Sequence, residues 1–396
     1  MNLENLSKIV QSGAAFRSRI RIQPAGGEGD KVFPPTYLGA NNKASYATEK
    51  RVVNLDGKPT SVDCVLLDSV QSQANRMEEA LQQAIDEGRL QVPLVEVDFT
   101  KTELIDPIGK ITSLQAPHRV ADALLRDAEL DGVPFRKSSV GMQLGAVSNR
   151  NATPLYEICP TALVFGMWDS TGPKGGLGAK FARALVSEIV GFGIGVGSKT
   201  SSRIDPAQIR AQAKVVEDKD GGWHLAGAKD KKAKSPSEIN HGNIPPTIDD
   251  ITGGVTLEYA EQITVISLPA LRRLRFPVNG EYKPEYDQAA RAVLMCLGLV
   301  SVALANETGL DLRSRCVLWP ESSPKWEVLG KPGTDVDTVE IDSEKALALY
   351  SEAVAVATGL GLPYLTEPVS LLPGKSLAAL LQRSQELAAA GEAEDE

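Results

Sequence analysis

The chain has 396 residues, of which 42% are hydrophobic and 23% charged, and a formal net charge of −9. That balance excludes an intrinsically disordered polymer and gives material for two or three domains, or one with long insertions. Acidity weighs against bulk nucleic-acid affinity, although local basic patches rather than net charge decide phosphate binding.

The opening MNLENLSKIVQSGAAF lacks the apolar run of a signal peptide, and residues 3–15 read as a short helix. Phe16–Gln23 alternates strictly and predicts a strand. Phe16, Ser18, Ile20 and Ile22 lie on one face, with Arg17, Arg19 and Arg21 on the other. Three like charges on one face repel unless something anionic lies across them, which makes Arg19, Arg21 and the adjacent Gln23 candidate phosphate contacts. A Gly/Pro-rich loop follows and contains Lys31.

Lys50–Val53 and Val62–Leu67 read as strands around an Asp56–Gly57 turn. The stretch Val65–Ala84 then runs from strand to helix, with Ser72, Gln73, Asn75 and Arg76 in the first helical turns. Helix N-termini collect anions because their first N–H groups are unpaired and the dipole is positive there. Ordinary capping by Ser69 or Ser72 explains the same letters equally well, with Glu78–Glu79 as a solvated face.

Val92–Phe99 predicts a strand, Pro117–Leu130 an amphipathic helix, Ala162–Trp168 an apolar strand and Phe181–Val190 a helix. The connecting DSTGPKGGLGAK fails the nucleotide phosphate-loop motif: Ala179 separates Gly178 from Lys180, and Phe181 stands where a metal-binding hydroxyl belongs. Lys174, Lys180 and Arg183 can still hold a phosphate, so an enzyme or binding protein for a phosphorylated metabolite, using loop 172–183, is the alternative reading.

A hairpin is expected in VVEDKDGGWHL, with its turn at Asp220–Gly221. A lysine-rich, then proline-broken stretch follows, and its Asn240 and His241 suit contact with a nucleotide. Val255–Ser267 is strand-like, and Leu268–Phe276 is a short basic helix carrying Arg272 and Arg273. Tyr286–Ala305 reads as a buried helix; no apolar run is expected to reach a membrane span, since Arg291 and small residues interrupt it. Leu312–Trp319 is a strand, and Ser343–Thr358 and Lys375–Ala390 are helices.

Cys64, Cys159, Cys296 and Cys316 show no CxxC spacing and read as reduced core residues of a cytosolic, hence cytoplasmic, protein. His118, His224 and His241 have no ligand spacing, and no paired acidic set appears. No metal, cofactor or catalytic residue is therefore expected. The order of elements fits an α+β chain built on a ferredoxin-like βαββαβ core, with residues 92–99 as its second strand. Basic and amide residues recur at element junctions, which suits a groove that tracks a sugar–phosphate backbone without reading sequence.

LLDSVQSQANRMEEAL resembles the strand–loop–helix of RAMP-superfamily backbone subunits of CRISPR interference complexes. The blocks RIRIQPAGGEGDKVFPPTY, GPKGGLGAKFARALVSEIVGFG and SEINHGNIPP…LRRLRF are similar to the type I-G (formerly I-U) branch. The resemblance implies a non-enzymatic, CRISPR RNA-binding subunit of Cascade. It would have an RRM-like palm over 16–330, inserted fingers near 100–160 and a thumb near 200–254, then a helical region over 331–390 and an acidic tail at 391–396. Copies would polymerise head to tail along a guide RNA beside other Cascade subunits and reach target DNA through guide pairing, with no membrane involved. Ser72, Gln73 and Arg76 would touch the guide, and Glu238–Pro246 would form the thumb.

Overall fold

A computed structural model describes residues 1–39, 42–171, 178–218, 222–227, 230, 232–307, 309–322 and 324–389. The fold is α+β, organised on an antiparallel sheet of nine strands among the described residues. Its central order is Leu310–Arg313, Cys316–Pro320, Ala15–Pro24, Tyr259–Ser267, Leu185–Phe192, Lys58–Asp68, Thr48–Leu55. Lys325–Leu329 also pairs with the first strand, beside Ala15–Ser18, and carries Asp337–Glu340 on its outer edge.

The first strand alternates as its sequence requires, with Phe16, Ile20 and Ile22 at most 1% exposed. Tyr259–Ser267 alternates buried and half-buried residues along its whole length and pairs antiparallel with the first strand from Ala15↔Ser267 to Ile22↔Ala260. The helices Val70–Asp86 and Pro284–Asn306 pack together under one half of this sheet. Under the other half, Ile20, Ile22, Val65, Leu67, Ile189 and Val255 form a second core.

Pro284–Asn306 is apolar on every side and mostly buried, as expected for a helix surrounded by protein. Its 23 residues do reach membrane-crossing length and apolarity, contrary to the reading from Arg291, but 83% of its most apolar window is buried in this chain's own core. The helix Ser343–Gly359 contributes Ala346, Leu349, Tyr350, Ala353 and Ala357 to the same core. All four cysteines are buried and free.

The second strand expected at 92–99 forms, as Val95–Asp98, but in another sheet. It pairs parallel with Val369–Pro373 and antiparallel with Lys110–Thr112. Leu185–Phe192, which overlaps the stretch read as a helix from Phe181 to Val190, is instead a strand of the main sheet. The β-branched Val186, Ile189 and Val190 and the partner strands on both sides decide the conformation there. Ala162–Trp168 is likewise not a strand. Thr161–Phe165 is a buried helical turn, Gly166 at φ 85° ends it, and only Met167–Trp168 is extended. Pro117–Leu130 splits into a turn at Arg119–Ala121, a short helix Ala123–Arg126 capped by Asp122, and the strand Ala128–Leu130.

Between Leu185–Phe192 and Tyr259–Ser267 the chain forms an arm in which Lys199–Arg203 pairs with Ile244–Asp249 and Val215–Glu217 with Trp223–Leu225. The expected turn at Asp220–Gly221 lies outside the described residues.

Candidate nucleic-acid interface

The arginine face of the first strand is neutralised by acids from neighbouring strands. Arg17 Nε lies 2.5 Å from Glu327, and Arg19 donates to both oxygens of Glu261 at 3.0 and 2.8 Å. Arg21 is 3.7 Å from Glu321 and lies over the Tyr259 ring, 4.3 Å from its centre, while Tyr259 stacks on Phe192 at 5.0 Å. Acids are absent from that face of the strand itself, but the sheet supplies them, so the repulsion that suggested an anionic ligand is already relieved. Gln23 is half-buried in the ladder opposite Trp319. Lys31 Nζ donates to the carbonyls of Ser198 and Gly253 at 2.8 and 3.3 Å and pins the base of the arm.

The Val70–Asp86 helix turns most of its first polar residues inward. Ser69 Oγ caps it by accepting the Ser72 N–H at 3.2 Å. Asp68, fully buried, accepts from Gln73 Nε2 at 2.7 Å and Arg76 Nε at 3.0 Å, and Arg313 Nη2 lies 3.3 Å away. Gln73 is 2% exposed, and its Oε1 accepts from Ser187 Oγ and Gln262 Nε2 at 3.1 and 2.8 Å. Arg76 also donates to the carbonyls of Asp311 and Leu312. Gln73 and Arg76 thus act as clasps between helix and sheet: no polar atom of Gln73 faces outward, and the Arg76 guanidinium is engaged by Asp68 and two carbonyls. Arg272 is committed too, donating to the carbonyls of Val10 and Gly13 at the end of the first helix.

The outward residues of that helix, Gln71 and Asn75, line an open cleft of about 720 Å³. Its other walls are Pro117–Arg119 with Ala121, Ala123 and Arg126, then Phe165–Trp168 with Ser170 and Thr171, and Lys180–Arg183. Met167–Trp168 pairs with Lys180–Phe181, which sets Lys180 Nζ 5.0 Å from the centre of the Trp168 ring, and Trp168 is 52% exposed. Arg126 is paired with Asp127 at 2.7 Å. Lys180 and Arg183 are exposed, and among the described residues no carboxylate forms an ion pair with either. A neighbouring cavity shares Lys180, Phe181 and Ala182 and adds Arg273 and Asn149, so the basic strip continues past the cleft.

Of the sequence candidates, the structure therefore brings Asn75, Lys180, Arg183 and Arg273 together. Lys174 lies outside the described residues. Asn240 and His241 stand apart on the arm: Asn240 closes a short turn at φ 61°, and His241 packs edge-on against Trp223 at 5.9 Å. No helix begins after loop 172–183; Leu185–Phe192 is a strand, so the loop does not aim at a helix N-terminus. Trp168, Gln71, Arg126 and Arg119 escaped the sequence reading. A tryptophan directly before a Gly/Lys-rich loop was a signal for Trp168; nothing local in the sequence marked the other three.

Beneath the cleft lies a buried ion pair. Arg119, 6% exposed, donates through Nε and Nη2 to the two oxygens of Glu78 at 2.6 Å each, and through Nη1 to the Gly166 carbonyl at 3.0 Å. Glu78 is 2% exposed and is no part of a solvated face. Arg119 sits at φ 54°, an uncommon conformation for a residue with a side chain, held here by the contacts of its own guanidinium. Gly166 is required: a Cβ there would come within 2.9 Å of Arg183 Cγ, so Arg183 packs directly on the backbone that Arg119 holds. Burial pushes the Glu78 carboxyl from its ordinary 4.5 up to about 7, against the pull of Arg119.

The folded chain thus retains a proton that the unfolded chain releases between those values. The stabilising contribution is complete below about 4.5 and is lost as pH rises through about 7. The thermal midpoint is expected to fall across that interval, and Glu78→Gln to flatten the fall; an identical slope in both proteins would show that Glu78 is not the titrating group.

A search of curated proteins finds no match to the chain. Residues 16–196, which run from the first strand through the cleft walls to the turn after Leu185–Phe192, match a family model described as CRISPR-associated protein GSU0053, and it is to this CRISPR-associated family that this part of the chain is similar.

Proposed function

We propose that the chain is a CRISPR RNA-binding backbone subunit of a Cascade-type complex of the RAMP superfamily, type I-G, which holds the guide so that it can pair with target DNA. The observation that carries this reading is the pair of exposed cations Lys180 and Arg183, without an ion-pair partner among the described residues, in an open cleft inside the span that matches a CRISPR-associated family. The strand order supports a ferredoxin-like palm. In the run strand, helix, strand, strand, helix, strand, the fourth strand (Cys316–Pro320), first, third (Tyr259–Ser267) and second (Leu185–Phe192) lie side by side, all antiparallel. The arm then occupies the place of a thumb, and head-to-tail copies along one RNA would form a filament whose length the RNA sets. The chain is non-catalytic in this reading and acts in the cytoplasm, with the guide, its own copies and other Cascade subunits as partners.

A phosphate-holding cleft makes affinity fall with salt, by about 0.7 per neutralised phosphate on a single strand. Lys180→Ala/Arg183→Ala is expected to weaken binding of unrelated RNA sequences alike and to lower the log–log salt slope by about 1.4. Arg76→Ala, at a clasp residue, should leave the slope unchanged. Wild-type protein that stays monomeric and free of RNA when co-expressed with a CRISPR array and partner subunits would sink the proposal.

A further inference from the structure

Beside the basic cleft lies a second cavity of about 340 Å³, separated from it only by Ala121, Arg126 and Met167, which line both. Its walls are apolar: Val120 and Phe135 are buried, and Met142 stands at the mouth, 61% exposed. Its polar lining is Arg126, paired with Asp127, and Arg136, bonded to Asp169 at 2.7 Å; Arg136 also donates to the Thr171 carbonyl on the cleft wall. We infer that this cavity receives one unstacked base of the strand held in the cleft; the inference rests on the RNA-binding reading above.

The chemistry of the two compartments divides as a nucleotide does. Lys180 and Arg183 offer charge for the phosphates, in a cleft that a neutral or cationic partner would not need. The adjoining cavity offers apolar walls and a soft thioether for a flat ring, with paired polar groups at its edge. A base placed on apolar and aromatic side chains adds affinity whatever its identity, because every base has a π-face. A pocket whose charged groups are already engaged in ion pairs and whose other walls are apolar thus adds affinity while accepting different guide sequences. Trp168, in the cleft next to the boundary residue Met167 and with its indole half exposed, continues the apolar surface on the cleft side.

Gly145 allows a clean test. It ends the helix Ser139–Gly145 on the cavity wall, and a Cβ built there meets nothing within 4 Å, so Gly145→Phe can fill the space without displacing backbone. The probes are a short oligouridine and an abasic ribose–phosphate strand of equal length, titrated by fluorescence anisotropy. Wild type is expected to prefer the base-bearing strand, and Gly145→Phe to reduce that preference about tenfold while leaving abasic binding and the salt slope unchanged. Met142→Ser, at the exposed mouth, should reduce it in the same direction and guards against misfolding of the phenylalanine variant.

Equal preference in wild type and both variants overturns the inference and leaves the cavity to an apolar side chain of a protein partner. Failure of wild type to bind either strand overturns the RNA-binding reading itself. Salt-dependent binding with no base preference overturns the base pocket alone.

Discussion

Arg119→Met is expected to destabilise the fold by about 3–5 kcal/mol, because it leaves the Glu78 carboxyl buried without its partner. Both side chains are almost completely enclosed, 7% and 2% exposed, so water cannot replace the lost hydrogen bonds. The loss reaches the cleft as well. Arg119 is the donor to the Gly166 carbonyl, and its φ of 54° has nothing to hold it once the guanidinium is gone. Glu78→Leu/Arg119→Met should recover most of the stability, since a hydrocarbon pair of similar volume has no charge to desolvate. Urea denaturation of the four proteins of this cycle measures the coupling. A single-variant cost under about 1 kcal/mol would show that the pair is solvated in solution.

The second large effect is expected at Asp68. Asp68→Ala removes the one carboxylate shared by Gln73, Arg76 and Arg313, and should cost about 3 kcal/mol. That is the lower end of the range for a buried ion pair, because both arginines keep 26% of their side chains in water and recover part of their solvation. The accompanying change is structural. Arg76 keeps its bonds to the Asp311 and Leu312 carbonyls but loses the carboxylate that joins it and Gln73 to Arg313, so hydrogen exchange should quicken at the start of the Val70–Asp86 helix before it does elsewhere. RNA bound per folded molecule should keep its salt slope. A lower slope in Asp68→Ala would mean that Arg76 had been reaching the strand after all.

Much of the fold was written in local pattern. Alternation placed the first strand and Tyr259–Ser267, and continuous apolarity placed the Pro284–Asn306 helix in the core. The interface was harder to read, because charge pairing across strands has no local signature. Arg17, Arg19 and Arg21 look unopposed in sequence, yet their partners Glu327, Glu261 and Glu321 lie hundreds of residues away along the chain. Arg76 shows the converse. A helix N-terminus with an arginine is an anion site only if no acid stands behind it, and Asp68 is already there. Lys180 and Arg183 were legible because the one acid of their loop, Asp169, is taken by Arg136 and pairs with neither. The helix predicted over Phe181–Val190 failed for the same reason as the arginine face: the strands that claim Leu185–Phe192 are Lys58–Asp68 and Tyr259–Ser267, both remote in sequence.

The parallel pairing of Val369–Pro373 with Val95–Asp98 bears on how the molecule is made. Contacts of that sequence separation close late, since the loop entropy must be met before the pairing rewards it. While the ribosome is still working through the middle of the chain, Val95–Asp98 has only Lys110–Thr112 beside it, and one flank of its backbone donors and acceptors is open. The last strand therefore acts as a latch. Nascent chains are exposed to mispairing at that edge until it arrives, and synthesis rate or chaperone supply, rather than equilibrium stability, would govern the yield of folded protein.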